Sequence, residues 1–557
     1  MKRIFSDYWP LVAAVVSLWL AVGCFLIISL KGTDGHLVYA LDDAYIHMAM
    51  AKNIALHGVW GVTRYGFSST SSSPLWLLLL TACYYAFGVN GATPFVLNVV
   101  FATAVCTAAF VVLKKSGVGK IRLLVCLFAI TFLTPLPTLI FGGMEHAMHA
   151  FLAVAFLYAS TSALAKSTPA GKDYAAVIGL SPLMTLARYE GIFLVAVVAA
   201  LLLFKKKLPA AFLVLAAGAL PLIVLGFIST SQGWYFLPNS IMLKIDRSGP
   251  YEFGYKMLLN LYGLGKITGA SHIMMLILGS LAAFALAVKK YRCVWHPAVI
   301  MPAIFVPAAF LHMQYCRTGH FYRYEAYLVT LGLVTLGAAL PAAALKTVRA
   351  QLKRASLAYY SAVALLLAFG ALPLCTRAGV AFLYTPRATV NIYEQQYQMG
   401  LFLKEFYTGE VVAANDVGAI NYLADIECLD LFGLATMEVA EAKIHDCFDT
   451  REIATIAEAR GADIAVVYKD WYASSGGLPP EWPFIGSWRI TRNFVCASPE
   501  VQFYAVAAEE QFELLHNLVD FSERLPETVE QGGPIVGPAG RSYRARRSAP
   551  PVNPRPR

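Results

Sequence analysis

Two adjacent carboxylates, Asp42 and Asp43, stand in the segment LDDAYIHMAMAKNIALHGVWG, just after an apolar run. A positioned carboxylate can take the proton of a reacting hydroxyl as a general base. If the segment is helical, Asp43 and His47 are four residues apart and share a face, with Asp42, Ile46, Ala49 and Asn53 on the neighbouring stripe. The unreactive alternative is that the acids cap the positive end of that helix. Desolvation makes two acids at a membrane surface costly, which favours a chemical role.

A second cluster is FGGMEHAMH, where Glu145 follows Gly142 and Gly143 and precedes His146 and His149. Water at a membrane interface would satisfy such a cluster without any chemistry. A divalent cation, Mg²⁺ or Mn²⁺, could instead be held by Asp42 or Asp43 with Glu145 and His149, because oxygen ligands with an imidazole suit those ions. The spacing does not establish that site, and nothing in the sequence requires a cofactor. A third cluster is LARYEG, with Arg188 and Glu190. An ionised arginine at a membrane edge needs a partner or a route to water. Lys52, Lys244, Arg317 and Arg323 add cations that could meet a phosphate, arginine doing so with two parallel hydrogen bonds. Ordinary lipid-headgroup contact is the alternative for each cation alone. Trp60, Tyr65, Trp76, Trp234, Tyr235, Tyr315, Phe321, Tyr322 and Tyr324 accompany the clusters; most suit an interfacial belt, and a few could stack on a sugar ring.

The elements that must position these residues are transmembrane helices. The 557-residue chain is 58% hydrophobic and 14% charged, with mean hydropathy +0.59, whereas soluble domains are about one quarter charged. The apolar residues come in runs near the roughly 20 residues that cross a bilayer. The first, Leu11–Leu30, reads as an uncleaved crossing, because it is long and lacks a small-x-small cleavage site. The net charge of +10 does not indicate nucleic acid, because the cations sit in short loops as cytoplasmic topology signals. Those loops are Lys114–Arg122, Lys166–Lys172, Lys205–Lys207, Lys289–Arg292 and Lys346–Arg354.

Keeping all of them on the cytoplasmic side forces Pro74–Phe87 to be a re-entrant or interfacial helix that returns to the outer face. About eleven crossings follow, near 11–30, 94–113, 121–140, 147–165, 174–188, 190–204, 209–229, 272–288, 297–313, 325–345 and 356–376. The N-terminus is then cytoplasmic, and every cluster above falls on the extracytoplasmic side. Residues 378–525 lie outside as well. There EVVAANDVGAINYLADIECLDLFGL reads as strand, turn, short helix and strand, and DTREIATIAEARGADIAVVYKD as amphipathic helix, glycine turn and strand. That pattern is α/β. The Pro- and Arg-rich segment 526–557 reads as disordered. The ten cysteines contain no CxxC pair, and Cys428–Cys447 is the favoured bridge if one forms outside.

The ordered set of motifs resembles the GT-C glycosyltransferases, nearest to the bacterial arabinofuranosyltransferase-like group. The matching segments are Asp42–Ile46, Ser72–Trp76, Gly143–Glu145, Arg188–Gly191 and Tyr235–Asn239, and the resemblance covers most of residues 1–330. NDVGAINYLADIECLDLFGL also resembles the outer domain of such enzymes. The resemblance implies sugar transfer, pentosyl or hexosyl, from a polyprenyl-phosphate donor to a glycan, lipid or protein acceptor outside a bacterial inner membrane. It implies Asp43 or Asp42 as general base. Arg188, Glu190, Lys52, His47, Asn239, Lys244 and Arg323 would serve the donor phosphate or the substrate. His47, Lys52 and the serine-rich Ser68–Ser73 depart from the family pattern, which leaves the sugar and acceptor open. A transporter or lipid flippase is the alternative from another class, although its ionisable sites would sit at the bilayer midplane. A non-catalytic assembly protein is a third, but leaves the paired acids without a task.

Overall fold

The computed structural model describes residues 2–243, 270–340 and 357–533. Lys244 and the basic loop 346–354 lie outside the described residues, as does the tail from 534 onward. Helices dominate, because a helix satisfies its own backbone polar groups where no water can. In chain order they are α1 (Lys2–Gly32), α2 (Asp43–His57), α3 (Pro74–Phe87), α4 (Thr93–Lys115), α5 (Lys120–Leu133), α6 (Leu136–Phe141), α7 (His146–Ala165), α8 (Gly171–Ala187), α9 (Gly191–Phe204) and α10 (Leu208–Ser231). The single turn α11 (Asn239–Met242), α12 (Ser271–Tyr291), α13 (Pro297–Tyr315), α14 (Ala326–Ala339) and α15 (Leu357–Ile392) follow.

Each of the eleven segments expected to cross contains helix among its described residues. Seven of them, α1, α4, α5–α6, α7, α10, α12 and α13, are long and apolar enough to cross unaided, which makes the chain a multi-pass membrane protein. Large apolar side chains such as Trp19, Leu20 and Ile27 on α1 and Phe212 and Phe227 on α10 face outward. In water they would be a liability; against lipid they are at home. Helices α3, α9 and α14 have 14 residues each and rise about 21 Å, short of the hydrocarbon thickness. Of these, α3 starts with Pro74 in its first turn, where the missing N–H costs nothing, and packs on α2 and α8.

Helix α15 does not stop at 377, where composition changes. It continues to Ile392, through a π-helical turn (Tyr393–Tyr397), into α16 (Gln398–Phe406). The composition change marks where the helix becomes polar, not where it ends, so the expected boundary at 378 falls inside an unbroken helix. The sheet that follows has strands β1 (Val411–Ala414), β2 (Glu427–Asp430), β3 (Ile464–Val467), β4 (Phe484–Ile490), β5 (Glu500–Ala505) and β6 (Val529–Gly532), in the order β2-β1-β3-β5-β4-β6. The β2-β1-β3 part is parallel and the rest antiparallel. Its flanking helices are α17 (Ala419–Leu423), α18 (Met437–Ile444), α19 (Thr450–Arg460) and α20 (Glu510–Phe521). The expected strand–helix–strand is β1-α17-β2, and the expected helix–glycine–strand is α19-Gly461-β3.

Two expectations are corrected. The segment from 526 is ordered at least through β6, which pairs with β4 and buries Val529. No Cys428–Cys447 bridge exists: the two thiols are unbridged, and the Cys447 thiol instead donates to the Ala442 carbonyl at 3.4 Å.

Candidate active site

Helix α2 carries the paired acids, and the fold separates their roles. Asp42 occupies the N-cap position, yet its side chain makes no capping bond. Its two oxygens reach across to the outer domain and accept the amide hydrogens of Gly418 at 2.9 Å and Ala419 at 2.8 Å. Beside it, Asp416 Oδ2 accepts from Tyr468 Oη at 2.6 Å and Gln396 Nε2 at 2.9 Å. Burial and the neighbouring Asp416 push the Asp42 carboxyl well above the usual carboxylate range. Asp43 faces the other way. Its side chain is 42% exposed and bonds the guanidinium of Arg323, itself only 3% exposed.

Arg323 also donates to Met144 Sδ and lies 2.8 Å from His320 Nδ1. Its buried Nε has no hydrogen-bond partner among the described residues. The loop that presents it is unusual: Gly319, His320, Phe321 and Tyr322 are successive left-handed residues with φ of 84°, 43°, 58° and 63°. Each bulky residue there costs on the order of 1–2 kcal/mol, so surrounding bonds must hold the loop. Glu325 accepts from Gly319 N at 2.7 Å and from Arg377 Nε at 2.9 Å, and Arg377 also bonds the Tyr322 carbonyl.

The Glu145 cluster forms the second half. Gly143 has φ of 66°, and a Cβ there would stand 2.5 Å from the Tyr39 ring, so this turn requires glycine. The turn brings Glu145 to the head of α7 with its side chain fully buried. Glu145 Oε1 bonds Arg188 Nη1, while Arg188 Nε donates to Glu190 Oε1 at 2.5 Å. Arg188 also lies 3.2 Å from His146 Nε2. The free Glu145 Oε2 is 3.8 Å from His47 Nε2, and His47 Nδ1 is 3.4 Å from Ser71 Oγ. Burial lowers the His47 pKa against the pull of Glu145, favouring the neutral imidazole. Both guanidiniums lie over the Tyr324 ring, Arg188 at 5.5 Å and Arg323 at 5.1 Å.

The fold therefore joins Asp43, His47, Glu145, Arg188, Glu190 and Arg323 in one charged cluster. An apolar groove of about 390 Å³ borders it, lined among others by Trp60, Phe67, Ser71, Tyr189, Ile228 and Phe236. Ser71 touches His47, and Tyr189 sits between Arg188 and Glu190, so groove and cluster share walls.

Other expected residues do different work. Lys52 Nζ bonds the carbonyls of Asn421 at 3.2 Å and Tyr422 at 2.7 Å, and Asn239 Nδ2 bonds Gly433 O at 2.9 Å. Both tie the outer domain down. His149 packs its ring 4.4 Å from Tyr327. Among the described residues no three His, Cys, Asp or Glu side chains converge as metal ligands. Asp43 and Glu145 are paired with arginine, whose charge would repel a divalent ion, and both oxygens of Asp42 are taken by backbone amides, so the residues present do not fit Mg²⁺ or Mn²⁺. Asp416, Tyr468 and the Glu325–Arg377 pair were not singled out by sequence reasoning. The signal for Asp416 is weak: an acid one residue after Asn415 and two before Gly418, past a strand end.

A family model described as a domain of unknown function, DUF8728, matches residues 390–504. No curated protein matches the chain. The crystal structure of ArnT from Cupriavidus metallidurans bound to undecaprenyl phosphate is similar with TM-score 0.51 and 12% identity, over 88% of this chain and 98% of that one. Its apo state gives TM-score 0.51 and 14% identity, over 89% and 99%. The archaeal oligosaccharyltransferase AglB from Archaeoglobus fulgidus, in complex with an inhibitory peptide and a dolichol-phosphate, aligns with TM-score 0.47 and 12% identity, over 91% and 75%. The ArnT likeness shows the fold: a bundle of membrane helices with a C-terminal α/β domain.

Proposed function

We propose that the chain is a membrane glycosyltransferase that moves a sugar from a polyprenyl-phosphate donor to an acceptor hydroxyl. The observation that carries this reading is the apolar groove bordering a cluster of two buried arginines and a half-exposed aspartate. An isoprenoid chain suits the groove, and its phosphate suits Arg323 and Arg188, with the Arg323 Nε free to donate. Asp43 is the general base. Donor phosphate competes for Arg323 and so releases the Asp43 carboxylate. Asp43 then takes the acceptor O–H proton, the oxygen bonds the anomeric carbon, and the bond from that carbon to the phosphate oxygen breaks. The departing charge on the lipid phosphate is met by the arginines. Asp42, occupied by two amides, secures the outer domain. The ArnT structure holds undecaprenyl phosphate, which supports a lipid phosphate here.

The described basic loops, at 114–122, 166–172, 205–207 and 289–292, lie at the helix ends opposite the cluster, which supports a cytoplasmic N-terminus and an extracytoplasmic site in a bacterial inner membrane. The membrane helices then supply the catalytic loops, and the outer domain closes over them. The acceptor is a glycan, lipid or protein, and the sugar a pentose or hexose.

The test is turnover by purified protein with a set of polyprenyl-phosphate sugars, reading lipid phosphate released and sugar transferred. Asp43→Asn should lower turnover by about 10²–10⁴-fold with thermal stability retained. Full turnover in Asp43→Asn would remove the base assignment, and movement of lipid across the bilayer without sugar transfer would remove the transferase.

A further inference from the structure

The outer domain has an open cleft of about 510 Å³ away from the charged cluster, between the β2–α18 loop and the residues after β3. Trp471 forms one wall, 37% exposed, with its ring 5.5 Å from Phe432. Lys443 stands at the other side over the rings of Phe432 at 4.9 Å and Phe448 at 4.6 Å. Two main-chain carbonyls hold its ammonium, Leu431 O at 2.9 Å and Phe432 O at 3.1 Å. Tyr472 lines the cleft too; it is only 3% exposed, and its buried hydroxyl has no partner among the described residues. Asp446, Ser474 and Ser475 complete the polar lining.

This combination selects a ligand class. Aromatic faces beside hydroxyl and ammonium donors match a ring with apolar faces and hydroxyl edges. One lysine against one aspartate leaves no net charge, so a phosphate, which calls for clustered arginine, is not favoured. A purely apolar chain would strand the polar lining. The volume lies in the usual range for small-molecule sites.

The cleft is also wired to the cluster. Phe432 belongs to a loop whose Gly433 carbonyl accepts from Asn239 and whose Leu434 carbonyl accepts from Thr70 at 2.8 Å. Thr70 precedes Ser71, the neighbour of His47. On the other wall, Trp471 packs 5.4 Å from the Tyr468 ring, whose hydroxyl donates to Asp416.

We infer that this cleft binds a neutral sugar unit of a glycan acceptor, so that the outer domain holds the chain whose end is extended at Asp43. The saccharide binding stands on the cleft alone; its purpose rests on the transferase reading. The test uses full-length protein in nanodiscs and neutral pentose and hexose oligosaccharides of one to six units, with saturation-transfer NMR and calorimetry as readouts. Binding should be saturable, fall at least tenfold in Trp471→Ala and return to within threefold of wild type in Trp471→Phe. In transfer assays, the lower KM of a six-unit acceptor over a one-unit acceptor should vanish in Trp471→Ala. Absence of oligosaccharide binding by the wild type, or binding unchanged in Trp471→Ala, would overturn the cleft assignment. Trp471-dependent binding without transfer from any polyprenyl-phosphate donor would support the cleft while overturning the transferase.

Discussion

Asp42 and Asp43 are the same residue type in adjacent positions, and one helical step, about 100° of rotation, sends them to different tasks. The sequence makes both visible as acids beside a membrane, but their partners, Gly418 and Arg323, lie hundreds of residues away. No local pattern encodes which acid meets which partner. Lys52 and Asn239 show the same limit: their types suit phosphate or substrate, yet carbonyls of the outer domain claim them. Arg323 is the residue whose chemistry is most specific to its type. A lysine would keep the charge but lose the second donor and the planar stack on Tyr324. A hydrogen bond to a charged group contributes about 1.5–3 kcal/mol, so Arg323→Lys should lower kcat/KM for the lipid donor by roughly 10- to 100-fold. Steady-state kinetics with varied donor checks this, and a change in acceptor KM alone would place Arg323 elsewhere.

At the scale of elements, hydrophobic runs made the helices legible because crossing length is a strong physical constraint. The three-strand parallel part of the sheet was legible from its turns and glycine. The antiparallel strands β4 to β6 were not, because their residues are mixed and the last sits in a stretch whose Pro, Gly and Arg suggest disorder. The joint between α2 and α17 is set by close backbone approach. A Cβ on Gly418 would stand 2.1 Å from the Asp42 carbonyl oxygen and 2.5 Å from its Oδ2. Gly418→Ala should therefore cost about 1–3 kcal/mol at this joint. The expected result is faster hydrogen exchange at residues 416–424, unchanged exchange in the membrane helices, and reduced turnover.

Helix α20 offers a pH test. Burial and the nearby Glu513, Asp463, Glu410 and Glu509 push Glu510 up to about 7. A carboxyl raised from 4.5 binds its proton more tightly in the folded state. Its contribution is then full below pH 4.5 and is lost as pH rises through 7, so outer-domain stability falls across that window. Glu510→Gln should raise the melting temperature at pH 8 and leave it unchanged at pH 4.5. Equal effects at both pH values would rule the linkage out.

For the whole molecule, composition and loop charge were enough to read a many-helix membrane unit with its chemistry gathered on one side and an α/β domain beyond. They were not enough to read how the two are coupled, because that coupling runs through α15. Arg377 on this helix holds the strained loop bearing Arg323, and Asn391 near its end bonds the Arg492 carbonyl and the Phe494 amide of the outer domain. The helix is 36 residues long, about 54 Å, and those two attachment points are about 21 Å apart along it. The sequence expects residues 356–376 to cross the bilayer, which would make the helix a lever with one end in lipid. A tilt of about 5° pivoting at Arg377 would move the outer attachment by roughly 2 Å over that rise, enough to break a hydrogen bond. A bilayer too thin or too thick forces helices to tilt, so the protein should act as a gauge of its membrane. Turnover in nanodiscs of increasing acyl length should peak at one thickness, and a flat profile would show that the lever does not reach the site.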